Sequence, residues 1–337
     1  MKRIYVTGAA GFIGYHLAGH LLDEGFIVHG FDGMTPYYDP ALKEARLALL
    51  TGRNGFTFTR GMLEEAEALA ADIRAFRPDA IVHLAAQAGV RYSLEAPRSY
   101  LSANIEGTFN VMEAARDQGV KHLMLASTSS VFGANTEMPY RETDKADTQV
   151  SLYAATKKAT ENLSHSWAHL YNLPTTCFRF FTVYGPWGRP DMAPFKFTRA
   201  ILSGEPIEVY GQGNMYRDFT YVTDLVRALR LLIDQPPVRP QSPGQIAAGD
   251  SLSPVAPWRV VNVGNGEKVS LGDFIAAIEA AAGRQAVKKL MGMQKGDVAA
   301  TWADNSLLAR LTGYRPQTGI RDGMARFVAW YRDYFGL

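Results

Sequence analysis

A glycine-rich stretch, Gly8-Ala-Ala-Gly11-Phe-Ile-Gly14, separates a short apolar run at residues 4–7 from a segment of helical character that Gly25 ends. No other feature constrains the fold as much. Glycine lacks a Cβ, so it permits a tight strand-to-helix turn, close approach of the backbone to a phosphate, and close packing of helix on strand. A helix that begins there points its first N–H donors and the positive end of its dipole at an anion. The spacing is GxxGxxG rather than GxGxxG, and three glycines carry weight only because a strand pattern precedes them and a helix pattern follows.

Further apolar runs at residues 26–31, 80–84, 122–126 and 175–181 alternate with stretches such as 100–118, whose apolar positions recur at helical spacing. That alternation predicts a parallel sheet flanked by helices. Asp32 closes the second run, 18 residues beyond Gly14. A carboxylate there can accept hydrogen bonds from adenosine ribose hydroxyls and repels a 2′-phosphate, which favours NAD over NADP; the alternative is that Asp32 only opens a turn. A chain of 337 residues can bury a large core in one compact body. Its 35 basic and 33 acidic residues nearly cancel, and no like-charge run suggests a nucleic-acid partner. The one cysteine, Cys177, lies in an apolar run and reads as a buried thiol, which suits a reducing cytoplasm. No run approaches the roughly 18 apolar residues of a membrane span, so the expectation is a soluble protein.

Tyr153-Ala-Ala-Thr-Lys157 carries the chemistry. Residues four apart share a helix face, so Lys157 can set an ammonium beside the Tyr153 phenol. A nearby cation favours the phenolate and lowers a tyrosine pKa from its usual value of about 10. Such a phenol is a general base for hydride chemistry on a hydroxyl group. Taken alone, the spacing also fits a solvated helix face. The hydroxyl run Ser127-Thr128-Ser129-Ser130 reads either as part of a site or as a strand-end turn satisfied by its own hydroxyls.

Together with His83-Leu-Ala-Ala-Gln87 and Arg217-Asp-Phe-Thr-Tyr-Val222, these motifs resemble the extended short-chain dehydrogenase/reductases that act on nucleotide sugars, over essentially the whole chain. The stretches 37–46, 88–93, 151–157 and 179–192 are more similar to UDP-glucuronate 4-epimerases than to UDP-galactose 4-epimerases. The resemblance implies a Rossmann-type doubly wound parallel sheet over residues 1–180, joined by parts of 218–264, and a smaller C-terminal substrate-binding lobe, mainly residues 181–337. It implies that Gly8, Gly11, Phe12, Ile13 and Gly14 cradle the pyrophosphate of NAD, that Asp32 holds the ribose, and that Leu84, Ala85, Ala86 and Ser127 line the cofactor. Asn104, Tyr153 and Lys157 would complete the nicotinamide side, with Thr128 hydrogen-bonding the sugar oxygen under oxidation. For the UDP-sugar it points to Thr182, Arg217 on the diphosphate, Asp297 near the uridine ribose, and Phe195 to Phe197 with Val209 and Tyr210 around the uracil. Arg91, Thr128, Ser129, Ser130, Thr182 and Arg189 are alternative partners for a sugar carboxylate. It implies no metal, and a homodimer paired through helices around 100–116 and 151–171.

Three positions depart from the family pattern: Gly33 replaces a usual asparagine, Met62 stands near a usual acidic residue, and Phe132 replaces a usual tyrosine. Ser129-Ser130 takes the place of the acidic pair of a dehydratase, and Ser130 that of a decarboxylase glutamate, which leaves 4-epimerisation of UDP-glucuronate. A 4-epimerase of neutral UDP-hexoses or UDP-pentoses and a non-catalytic nucleotide-sugar or NAD-binding protein are the competing readings. Residues 235–257 read as a long connection, 259–263 as a further buried strand, and 320–335 as a helix that packs back on the substrate lobe.

Overall fold

The computed structural model of the protein describes residues 2–293 and 298–337. Seven strands form one parallel sheet: β1 (Arg3–Thr7), β2 (Ile27–Asp32), β3 (Phe56–Arg60), β4 (Ala80–His83), β5 (His122–Thr128), β6 (Thr175–Phe180) and β7 (Trp258–Val263). Their order across the sheet is β7-β6-β5-β4-β1-β2-β3, and every neighbouring pair is parallel. The order reverses between β1 and β4. A crevice opens at such a switch point beyond the carboxyl ends of the strands, where doubly wound sheets bind ligands. The runs that end β1, β4 and β5, at Thr7, His83 and Thr128, all deliver residues to that edge.

β4 and β5 are buried at every position, as strands covered by helices on both faces must be. One core layer joins Ile4, Val6, Leu17, Val28, Met124 and Phe178 with Leu225 and Leu229 of the helix Val222–Ile233; the opposite face packs Tyr5, Ile73, Leu123 and Cys177. β3 does not appear among the apolar runs of the sequence, because Phe56-Thr-Phe-Thr-Arg60 alternates apolar with polar residues and lies half exposed at the sheet edge. The segment 100–118 is helical with a π-helical turn at Leu101–Glu106 inserted before Gly107–Gln118. Such turns recur at functional sites.

A second core holds Phe195, Ile201, Ile207, Val209, Phe219, Phe274, Ile278, Met324, Phe327 and Tyr331. Its frame is the helices Ala193–Ser203, Leu271–Ala282 and Ile320–Phe335, with strands of only two to four residues between them. Between Ile233 and Trp258 the only regular element is one turn of 3₁₀ helix at Pro243–Gln245.

Candidate active site

A cavity of about 1120 Å³ runs along the crevice, from the glycine turn at one end to the second core's short strands at the other. Gly8 adopts φ 71°, and a Cβ there would lie 2.8 Å from the Ala85 backbone nitrogen; at Gly14 it would lie 2.0 Å from the Gly8 carbonyl oxygen. The helix Phe12–Asp23 has neither a side-chain cap nor an acidic residue in its first turn. Its leading N–H donors therefore open onto the cavity as an anion cradle, which suits a pyrophosphate. Asp32 also lines the wall, its carboxylate oriented by the Ala10 and Met34 amides at 3.1 and 2.8 Å. These features fit a dinucleotide.

Met62 and Gly33 both line this end, and a Cβ on Gly33 would meet the Met62 sulfur at 2.7 Å. The two departures from the family pattern are therefore one: the thioether fills the space that a larger residue at 33 would need. Phe132 has a separate reason. It is fully buried, stacked on Tyr140 at 4.3 Å with the Arg179 guanidinium 4.7 Å above the ring, so a hydroxyl there would need a buried partner.

Beyond the cradle, Leu84, Ala85, Ala86, Ser127, Thr128, Ser129, Ser130, Tyr153 and Lys157 line the same cavity. Ser151 caps the helix Leu152–Tyr171 by accepting from the Ala154 amide, and this fixes Tyr153 and Lys157 one turn apart. The Lys157 ammonium donates to the Ala126 carbonyl at 3.0 Å and is brought down to a pKa of about 8 by burial. Burial raises the Tyr153 phenol above its ordinary value, while a hydrogen bond with Thr128 and the charge of Arg189 pull it down. The expected lowering of Tyr153 by Lys157 is not found: burial carries the phenol upward, and the groups that offset it are Thr128 and Arg189 rather than the lysine. Glu161, two turns further along, accepts from Ser127 Oγ at 2.7 Å and from Arg179 Nε and Nη2 at 2.9 Å, locking the end of β5 onto this helix. Sequence reading missed Glu161, though it continues the Tyr153 and Lys157 face at the next four-residue step.

Asn104 has a different place from the one the resemblance implies. It is fully buried behind the wall, accepting from the Gln87 amide at 2.8 Å and donating to the Gln87 carbonyl and Thr156 Oγ1 at 3.1 Å. It braces the loop after β4, and its neighbour Ala103 reaches the cavity instead.

At the far end Arg91, Thr182, Arg189, Phe197 and Arg217 line the cavity. Arg189 bonds Asp191 through Nε at 3.0 Å and Nη2 at 2.5 Å, and Tyr37 donates to the same carboxylate at 3.0 Å. Arg91 stacks 4.9 Å over the Tyr210 ring. Phe195 and Val209 point into the second core, where Phe195 packs 5.1 Å from Tyr331. Of the aromatic residues expected around the uracil, Phe197 and Tyr210 are the two on the wall. Asp297 lies outside the described residues. Behind Arg217, the buried Asp218 carboxylate accepts from the Asn265, Gly266 and Ala303 amides at 2.8 to 3.1 Å and from Thr220 Oγ1 at 3.1 Å.

Residues 4–247 match the NAD dependent epimerase/dehydratase family. The chain belongs to it. A probable UDP-glucuronate 4-epimerase of Rhizobium meliloti (strain 1021) is 54% identical over 329 residues, which cover 98% of this chain and 96% of that one. UDP-glucuronate 4-epimerase 4 of Arabidopsis thaliana is 42% identical over 98% of this chain and 76% of its own length. The crystal structure of the UDP-glucuronic acid 4-epimerase of Bacillus cereus, in complex with UDP-glucuronic acid and NAD, superposes with a TM-score of 0.87 at 30% identity, covering 98% of this chain and 99% of that one. The fold is that of these epimerases, and the cofactor of the family is NAD. Among the described residues no helix is long and apolar enough to cross a membrane.

Proposed function

We propose that the protein interconverts UDP-glucuronate and UDP-galacturonate by inverting the sugar at C4. The observation that carries this reading is the convergence of Tyr153, Thr128 and the buried Lys157 on one wall of a cavity that begins at the anion cradle and Asp32. Similarity to named UDP-glucuronate 4-epimerases over nearly the full chain selects the substrate.

NAD, when bound, supplies a hydride acceptor and donor for C4. Tyr153 takes the proton of the C4 hydroxyl and returns it once the configuration has inverted. Thr128 holds the same oxygen, and its hydrogen bond to the phenol eases the ionisation that burial opposes. The Lys157 ammonium, held at the Ala126 carbonyl, keeps positive charge on the side where the phenolate forms. Arg217 holds the diphosphate, a task suited to a guanidinium. The 4-keto sugar carries its ketone β to the C6 carboxylate, a geometry prone to loss of carbon dioxide. Arg189, the Ser129 and Ser130 hydroxyls and Thr182 restrain that carboxylate, and no acidic side chain replaces Ser130 to assist the loss.

The same reading makes the protein a cytoplasmic homodimer, with exposed Leu101, Phe109, Leu170 and Tyr171 on the paired helices. Size-exclusion chromatography with light scattering tests the assembly. The reaction is tested by incubating the protein with UDP-glucuronate, UDP-glucose and UDP-xylose in turn and following products by proton NMR. The expected result is conversion of UDP-glucuronate to its 4-epimer without release of carbon dioxide. Preference for a neutral sugar would reassign the substrate, and silence with all three sugars in the presence of NAD would leave a binding protein.

A further inference from the structure

Arg46 is the one fully buried cation that the proposed chemistry does not use and that no carboxylate pairs with among the described residues. It sits on the helix Pro40–Leu50 and spends all five donors on neutral oxygens. Nε and Nη2 reach the Trp187 carbonyl at 3.1 and 2.6 Å, and Nη2 also reaches the Gly188 carbonyl at 3.4 Å. Nη1 donates to the Ala10 carbonyl at 3.2 Å and to the Tyr38 hydroxyl at 2.8 Å. Burial of a charge without a counter-ion is costly, and a guanidinium is tolerated here because its fork satisfies every donor.

The three segments it ties together surround the site. Ala10 belongs to the glycine turn, Tyr38 to the loop after β2, and Trp187-Gly188 to the turn that presents Arg189. Trp187 itself has φ 63°, a left-handed conformation that a bulky aromatic residue adopts only where its surroundings impose it. The imposition is visible. His16, on the cofactor helix and held neutral by burial with a pKa of about 4, donates through Nε2 to the Pro186 carbonyl at 2.8 Å. Three consecutive carbonyls, Pro186, Trp187 and Gly188, are thus gripped from the cofactor side. The indole is wedged 5.8 Å from Tyr15 and 5.3 Å from Trp330.

We propose that Arg46 is a positioning residue that transmits occupancy of the glycine turn to the turn carrying Arg189, so that cofactor and sugar carboxylate are held by one connected unit. A diphosphate on the cradle offsets the uncompensated guanidinium charge and stiffens the Ala10 peptide; the same guanidinium then fixes the Trp187 and Gly188 carbonyls. The inference rests on the reading of the cavity as a site for NAD and a UDP-sugar acid.

Hydrogen exchange of the backbone amides, with and without NAD, tests it without turnover. In the unmutated protein NAD should slow exchange at residues 187–192 by about tenfold, a size typical of coupled sites. In Arg46→Met the protection at 187–192 should vanish while protection at residues 8–14 persists. Equal protection at 187–192 in both proteins, or none in the unmutated protein, would overturn the inference. Should Arg46→Met not fold, Arg46→Lys is judged by the same criterion, because three donors on a point charge cannot replace the fork. A second readout is the KM for whichever UDP-sugar the protein turns over. Arg46→Lys and Arg189→Ala should each raise KM, and the double variant should show little beyond Arg189→Ala alone; additive effects would overturn the link. The exchange result depends only on NAD, so failure of the substrate assignment leaves it readable.

Discussion

The two ends of the cavity are built by opposite means. At the cofactor end the anion cradle is made of backbone amides and missing side chains, presented by β1 and the helix after it within a single stretch of residues 3–23, with the Asp32 carboxylate a short way beyond. At the sugar end the ligand-facing groups are side chains brought together from residues 91, 182, 189, 197 and 217, each on a different loop, short strand or helix. The first construction is local and rigid. The second depends on tertiary partners such as Asp218, which holds Arg217's strand, and Tyr37, which bonds the Asp191 carboxylate that holds Arg189. The lesson is that a binding function carried by backbone geometry is written in adjacent residues, whereas one carried by side chains is written in the packing behind them.

The sharpest separation of chemistry from either binding end comes from Tyr153→Phe, which removes the proton acceptor and nothing from the cradle. Turnover should fall about 10²- to 10⁴-fold with NAD binding unchanged by calorimetry; retained turnover would break the base assignment. Acid should weaken the two regions unequally, because all seven histidines precede residue 170. Burial holds His16, His83 and His122 to pKa values of about 4, 3 and 4, below the ordinary 6.5, so each takes up a proton on unfolding. Between pH 6.5 and about 4 each therefore removes about 1.4 kcal/mol of stability per pH unit as pH falls. Glu142, raised by burial to about 7, and Asp218, also raised by burial, act in the opposite sense, gaining stability as pH falls toward the ordinary carboxylate range. With three histidines against these two carboxyl groups, the sheet should melt at a lower temperature at pH 5 than at pH 7, as calorimetry with hydrogen exchange by region would detect.

Gly14→Ala tests the backbone construction. Its methyl group would meet the Gly8 carbonyl, so the turn must open. A stability loss of about 1–3 kcal/mol and loss of NAD binding are expected, with UDP binding little changed. Asp218→Asn is the mirror experiment. An amide presents donors to amides that now donate to the carboxylate, which costs about 1–3 kcal/mol for each unmatched group. UDP affinity should fall while NAD affinity holds; equal losses at both ends would break the comparison. The smallest effect should be Gly33→Asn, which weakens NAD binding through the Met62 sulfur and is relieved by Met62→Ala.

The amino-acid sequence alone determined the parallel sheet, the glycine turn and Asp32, because strand period, helix period and tight turns are properties of neighbours a few residues apart. It also placed Tyr153 and Lys157 on one helix face, since four residues make one turn. Only the tertiary structure decided that Phe197 and Tyr210 face the cavity while Phe195 and Val209 are core, since the second lobe's helices set which face is inward. The same holds for Asn104, which packing turns from the cavity toward Gln87 and Thr156. It holds most for Arg46, whose partners lie 8, 36, 141 and 142 residues away. No periodicity within the chain encodes where a buried charge finds its oxygens; that is fixed when separate loops close around it.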